Sequence, residues 1–277
     1  MSKTWFITGA SRGLGTEIAR AALAAGHNVV ATARRPETVT AALGESDRLL
    51  ALPLDVTDGA QAERAVADAV ARFGTIDVLV NNAGYGQFGV FEEVTPEDVR
   101  AQFETNVFGL MNVTRAAVPT LREGGSGHVF NISSIAGLRG MFGFSIYAAS
   151  KFAVEGFSQG LADELAPLGI KVTVVSPGYF RTDFLESTSI KYSENPIAAY
   201  AERQEGFRTF HDERNQNQPG DPKKLAAALL QLAEEENPPV SFVVGTDAVE
   251  WSQGAIDRFQ GELTAWKDLS ASTDGDW

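Results

Sequence analysis

Tyr147 and Lys151 stand four residues apart in a helix-compatible segment, 145–166, so both side chains leave one face about one turn apart. That sets an ammonium beside a phenol. A free tyrosine has a pKa near 10, and lowering it by about three units requires ~4 kcal/mol of preference for the phenolate. A nearby cation in a water-poor site supplies much of that, so the pair suits proton exchange with an oxygen near neutral pH. Tyr-x-x-x-Lys arises often by chance, and its surroundings must give it meaning. Upstream, the apolar run Val129-Phe130-Asn131-Ile132 ends at Ser133-Ser134, and a hydroxyl there can hydrogen-bond a carbonyl or alcohol oxygen. Asn81-Asn82-Ala83-Gly84 closes another apolar run, and Asn106 lies in the helical pattern that follows.

A second chemical feature opens the chain. Thr8-Gly9-Ala10-Ser11-Arg12-Gly13-Leu14-Gly15 links the first apolar run to a helical pattern. Glycines there allow a tight turn, close backbone approach to a pyrophosphate and close packing of helix on strand. The helix N-terminus adds amide donors and a positive dipole for the anion, so a dinucleotide is the expected ligand. About 20 residues on, where an acid would hold a ribose 2′-hydroxyl, the chain reads Thr32-Ala33-Arg34-Arg35. A guanidinium fork suits a 2′-phosphate that a carboxylate would repel. Arg34, with Arg12 and Arg35, therefore favours NADP(H) over NAD(H).

The elements that must position these residues follow an alternation of short apolar, β-branched runs with longer helical patterns. Strands are expected at 4–8, 28–32, 49–54, 78–80, 128–132, 171–175 and 240–244, and helices near 14–25, 36–43, 59–73, 96–121, 148–168 and 221–236. The expected fold class is α/β: a single-domain, Rossmann-type, doubly wound parallel sheet of about seven strands with helices on both faces. A catalytic domain would span 1–248. Within it, 185–220 breaks the rhythm, shows no clear strand, and is too aromatic for a solvated loop, as Phe184, Leu185, Tyr192, Tyr200, Phe207 and Phe210 show. It is expected to be a substrate lid. A C-terminal extension, 249–277, is weakly patterned, and its end from Ser270 to Trp277 is expected to be disordered.

Composition narrows the function classes. The chain has 277 residues, no cysteine, three histidines without ligand spacing and a formal net charge of -13. Thiolate catalysis and cysteine-ligated metals are excluded, no metal site is expected, and the acidity argues against nucleic acid. No apolar stretch is long enough to span a membrane, and the expected location is cytoplasmic.

Taken together, these motifs resemble the short-chain dehydrogenase/reductase family from about Thr4 to Thr182: the glycine turn at 8–15, Asn81 to Gly84, the Tyr147 and Lys151 pair, and Pro177-Gly178. The resemblance implies a catalytic set of Ser134, Tyr147, Lys151 and Asn106. Family spacing selects Ser134 over Ser133, since it lies thirteen residues before the tyrosine. Tyr147 would be general acid in reduction and general base in oxidation, Lys151 would lower its pKa and hold the nicotinamide ribose, Ser134 would polarise the substrate oxygen, and Asn106 would support a water chain to Lys151. Cofactor contacts would come from Gly9, Ser11, Arg12, Gly13, Leu14, Gly15, Arg34, Arg35, Asp55, Val56, Asn82, Ala83, Gly84, Pro177, Gly178, Phe180 and Thr182, with Phe180 larger than is common there. The implied activity is reversible hydride transfer between NADP(H) and an aldehyde, ketone or secondary alcohol, the lid favouring an apolar partner. The alternatives are an NAD(H)-preferring dehydrogenase of the same fold and a non-catalytic NADP(H)-binding regulator. The resemblance further implies a homodimer or homotetramer.

Overall fold

A computed structural model describes residues 2–186 and 189–275. Its strands are β1 (Thr4–Thr8), β2 (Asn28–Ala33), β3 (Leu49–Pro53), β4 (Val78–Asn81), β5 (Gly86–Phe88), β6 (Gly127–Ile132), β7 (Ile170–Pro177), β8 (Ile190–Tyr192) and β9 (Ser241–Val244). The helices are α1 (Gly13–Ala24), α2 (Glu37–Leu43), α3 (Gly59–Phe73), α4 (Pro96–Phe103), α5 (Leu110–Gly124), α6 (Ser145–Leu165), α7 (Ala201–Arg214), α8 (Pro222–Leu232) and α9 (Thr246–Ala271).

Seven strands form one parallel sheet in the order β3-β2-β1-β4-β6-β7-β9. The two-residue period of each strand sends alternate side chains to opposite faces. Trp5, Ile7, Val29 and Ala31 enter the core beneath α1 and α8, while Phe6, Val30 and Leu79 enter the one beneath α3, α5 and α6. Strands buried on both faces must be apolar throughout, which is why they read so clearly as runs. Strand order reverses between β1 and β4, and the crevice outside the carboxyl ends at that point is where such sheets bind ligands.

Three segments differ from the sequence expectation. The helix foreseen over 96–121 is interrupted by a π-helical turn, Glu104–Gly109, between α4 and α5. Gly109 fits there because a Cβ would lie 2.6 Å from Val56 Cγ2. The 185–220 segment holds a strand after all: β8 pairs in parallel with β5, outside the main sheet, and α7 follows. The stretch after Asp247 forms the 26-residue α9, with Ser270 and Ala271 as its last residues. Asp276 and Trp277, also expected to be disordered, lie outside the described residues. Among the described residues no helix is long and apolar enough to cross a membrane.

Candidate active site

The glycine turn leaves β1 with Gly9 at φ +65° and Gly13 at φ +58°, conformations that L side chains avoid. A Cβ on Gly9 would stand 2.8 Å from Ala83 Cα, and one on Gly15 would stand 2.5 Å from the Gly9 carbonyl oxygen. Asn82 braces this turn from the end of β4. Its Nδ2 donates to the carbonyls of Thr8 and Gly9 at 3.0 Å each, while the Thr8 hydroxyl accepts from the Asn82 and Ala83 amides. Arg12, at the N-cap of α1, forms no side-chain cap to the first-turn amides, and that turn contains no acid. An uncapped helix N-terminus beside a turn without Cβ atoms fits a pyrophosphate.

The cleft starting here has a volume of about 830 Å³. Of the expected cofactor-contact positions, Gly9, Ser11, Arg12, Gly13, Leu14, Arg34, Asp55, Val56, Asn82, Ala83, Gly84, Pro177, Gly178, Phe180 and Thr182 line it. Gly15 and Arg35 do not. Gly15 is buried under the turn, and Arg35, one residue past Arg34, is exposed beside the start of α2. Asp55 accepts from the Thr57 amide and hydroxyl at 3.0 and 2.8 Å. Thr182 lies across from the turn, its Cβ 3.5 Å from where a Gly13 Cβ would be. Phe180 tolerates its size because a glycine faces it: a Cβ on Gly220 would lie 2.8 Å from the Phe180 ring.

Deeper in the cleft, Ser134, Tyr147 and Lys151 come together from β6 and α6. Ser134 Oγ accepts from the Ala136 amide at 3.1 Å, and its side chain is near enough to the Tyr147 phenol to favour the ionised form. Ser133 turns away, its hydroxyl donating to the Lys151 carbonyl at 3.3 Å, so the two serines have different surroundings. Lys151 Nζ donates to the Ile132 carbonyl at 2.9 Å and lies 5.8 Å from the Tyr147 ring centroid. Burial brings Lys151 down to about 8, opposed by the carboxylate of Glu155. Burial pushes the Tyr147 phenol above its ordinary value, opposed by Ser134. The Lys151 ammonium points at a backbone carbonyl, and burial is the largest influence on the phenol.

Asn106 does not line the cleft. It sits in the π-helical turn and grips Tyr85, its Oδ1 accepting from the amide at 3.1 Å and its Nδ2 donating to the carbonyl at 3.0 Å. Its Nδ2 also lies 3.2 Å from Ser150 Oγ, which in turn donates to the Tyr147 carbonyl at 2.7 Å. Gly84 separates Asn106 from the lysine: a Cβ there would be 3.0 Å from Asn106 Oδ1 and 3.9 Å from Lys151 Nζ.

The far end of the cleft is an aromatic box. Phe88 meets Phe144 edge-on at 4.4 Å and Tyr147 at 5.7 Å, and Phe184 approaches Tyr147 at 6.0 Å. Ile190, Leu185, Tyr192 and Phe207 pack behind them. His211 and Tyr179 add polar edges to the cleft wall. The His211 ring donates from Nδ1 to the Phe207 carbonyl at 2.7 Å, leaving Nε2 3.5 Å from the Tyr179 hydroxyl. Sequence reasoning did not single out Phe88, Phe144, His211 or Tyr179 as site residues. The spacing of Gln204, Phe207 and His211 was the available signal for the inward face of α7. Two acids that hold the walls were also missed. Glu93 is buried and accepts from the Ser193 hydroxyl at 3.0 Å, the Ile197 amide at 2.7 Å and the Gln204 side chain, clamping the 185–220 segment. Asp247 accepts from the Tyr179 amide at 2.8 Å and fills the space beside Gly178.

A doubly wound sheet with a phosphate-type turn at its switch point and a polar cluster at its strand ends defines a nucleotide-dependent α/β enzyme. The chain belongs to the short chain dehydrogenase family, whose model matches residues 3–193. A short-chain dehydrogenase from Streptomyces avermitilis superposes with a TM-score of 0.91 at 47% identity, covering 99% of this chain and 100% of that one. Oxidoreductase BOA17 of Botryotinia fuckeliana is 40% identical over 99% of this chain and 100% of its own length. Two further structures, each at 27% identity and a TM-score of 0.74, are of a 3-ketoacyl-(acyl-carrier-protein) reductase from Brucella melitensis complexed with NADH, and of ElxO with NADP bound. They cover 87% and 90% of this chain, and it covers 96% and 100% of theirs. The protein is an oxidoreductase of this family.

Proposed function

We propose that the protein is an NADP(H)-dependent carbonyl reductase acting on apolar, ring-bearing ketones or aldehydes. The observation that carries this reading is the convergence of Ser134, Tyr147 and Lys151 on one cleft that joins the glycine turn to the aromatic box. When bound, the dinucleotide supplies the hydride in R–C(=O)–R′ + NADPH + H⁺ ⇌ R–CHOH–R′ + NADP⁺.

The chain's own groups supply the rest. The helix α1 N-terminus and the amides of the glycine turn hold the diphosphate. Arg34, on the cleft wall just after β2, would meet the 2′-phosphate with Arg12, while Arg35 stands one residue beyond that wall. Asp55 and Val56 flank the adenine, Asn82 to Gly84 the adenosine, and Thr182 with the backbone after Pro177-Gly178 the carboxamide. The Ser134 hydroxyl orients the substrate oxygen, and Tyr147 donates its proton to that oxygen as charge develops. A phenol kept protonated by burial suits that direction. Lys151 holds the ribose and recharges Tyr147, and Asn106 acts from behind by fixing Tyr85 and Ser150 around the proton path. The aromatic rings exclude water and fit an apolar body.

NADPH consumption followed across a panel of aldehydes, ketones and quinones tests the reading, with NADH in parallel. Turnover of aromatic or alicyclic ketones with NADPH preferred is expected. Preference for NADH would overturn the cofactor assignment, and cofactor binding without any turnover would favour a binding-only protein.

A further inference from the structure

Helix α9 begins on the body of the protein and then leaves it. Ala248 and Ala255 are buried and the Arg139 guanidinium stacks 4.8 Å over the Trp251 ring, but every described residue from Ile256 onward is exposed. Residues 256–271 thus project as about 24 Å of helix at ~1.5 Å per residue. A helix of that length without tertiary contacts is marginal in water. It also carries large apolar side chains: Ile256, Phe259, Leu263, Trp266 and Leu269 are 61, 67, 50, 62 and 61% exposed. The first four recur at intervals of three and four residues, and Val249, 57% exposed, extends the series one heptad back. With Val249, Ile256 and Leu263 at position a and Phe259 and Trp266 at position d, this is a coiled-coil seam.

We propose that the projecting half of α9 is a self-association element that pairs with the same helix of a second copy of this chain. Two features select a second copy. Glu262 falls at g and Lys267 at the following e, the positions that face each other across a parallel seam, so each copy offers both halves of the ion pair. In the single chain Glu262 is ion-paired with Arg258 one turn before it at 3.3 Å, a contact that Lys267 of a second copy would share or replace. The area also fits: with aromatic side chains burying ~150–250 Å², the exposed apolar residues offer on the order of 600 Å² per copy. That approaches the ~800 Å² per partner of a stable interface, with the polar rim still to be added. A lipid surface fits poorly. The helix carries Asp247, Glu250, Asp257, Glu262 and Asp268 against only Arg258 and Lys267, whereas interfacial helices are rich in Lys and Arg.

The full-length chain is measured by size-exclusion chromatography with light scattering at micromolar concentration, alongside Phe259→Glu/Trp266→Glu. Both positions are exposed and far from the cleft, so circular dichroism and NADPH oxidation should not change while the assembly mass falls by half. Lys267→Glu should loosen the assembly by about tenfold in Kd, and Glu262→Lys combined with Lys267→Glu should restore it. The chain has no cysteine, so Leu263→Cys should give a single disulfide-linked dimer under mild oxidation. A wild-type monomer, a mass unchanged by the double glutamate variant, or flotation of the full-length chain with phosphatidylcholine/phosphatidylglycerol vesicles that Phe259→Glu/Trp266→Glu abolishes would each overturn the proposal.

Discussion

Glu155 lies one turn beyond Lys151 on α6, and both side chains are buried. The carboxylate accepts from the Ser176 hydroxyl at 2.6 Å through Oε1, while Oε2 is buried without a partner. Burial pushes Glu155 up and Lys151 down, and each charge opposes the other's shift. Among the described residues, the Glu155 carboxylate is the charged group that raises the Lys151 pKa against the effect of burial. Glu155→Gln should therefore lower the lysine further, moving the alkaline limb of the kcat/KM profile for reduction to lower pH by about one unit. A superimposable profile would show that Glu155 has no such influence.

The same lysine sets a pH window. With Lys151 brought to about 8 by burial, its charge is present below that pH and lost above it. Reduction by the wild type should fall about tenfold per pH unit well above 8. Initial rates from pH 6 to 10 at saturating NADPH read this directly.

Arg34 lines the cleft where a carboxylate would bind a ribose hydroxyl. Arg34→Asp should lower the ratio of kcat/KM for NADPH over NADH by at least about tenfold, with kcat itself little changed. An unchanged ratio would remove Arg34 from cofactor choice.

Gly9 combines a left-handed φ with a Cβ position 2.8 Å from Ala83 Cα. Gly9→Ala should cost ~1–3 kcal/mol of stability and weaken NADPH binding. Thermal unfolding and quenching of the tryptophan fluorescence by NADPH measure the two effects separately.

His128 stacks on Phe130 at 3.9 Å, with Nε2 2.9 Å from the Thr173 hydroxyl and Nδ1 buried without a partner. Burial lowers its pKa to about 3. The folded ring stays neutral while the unfolded one takes up a proton below about 6.5. Stability from this group is complete above pH 6.5 and is lost as pH falls from there towards 3. His128→Leu should reduce the drop in Tm between pH 7 and pH 4.

Much of this architecture is written locally. The seven main strands are runs such as Trp5-Phe6-Ile7 and Val129-Phe130, apolar because both faces are covered, and the helices between them carry caps such as Asp58 and Thr95. The positions gathered at the cleft are legible for a similar reason, lying at strand ends, in a glycine turn or, as Tyr147 and Lys151 do, four residues apart on α6. What was hidden depends on distant partners. β5 and β8 are three residues each, and neither is a strand without the other. Helix α7 shows few inward residues, chiefly Gln204 and His211, and its place depends on Glu93, which is 111 positions away from Gln204. The π-helical turn at Asn106 has no local sequence signature, and the state of Tyr147 depends on burial among rings that only the fold assembles.

The proposed function rests above all on proton donation from Tyr147 to the substrate oxygen. The most direct measurement compares single-turnover reduction of an accepted ketone by wild type and Tyr147→Phe, with NADPH binding determined for both. The account predicts unchanged NADPH affinity within about threefold and a rate lower by at least ~10²–10⁴-fold. Equal rates in the two proteins would contradict it.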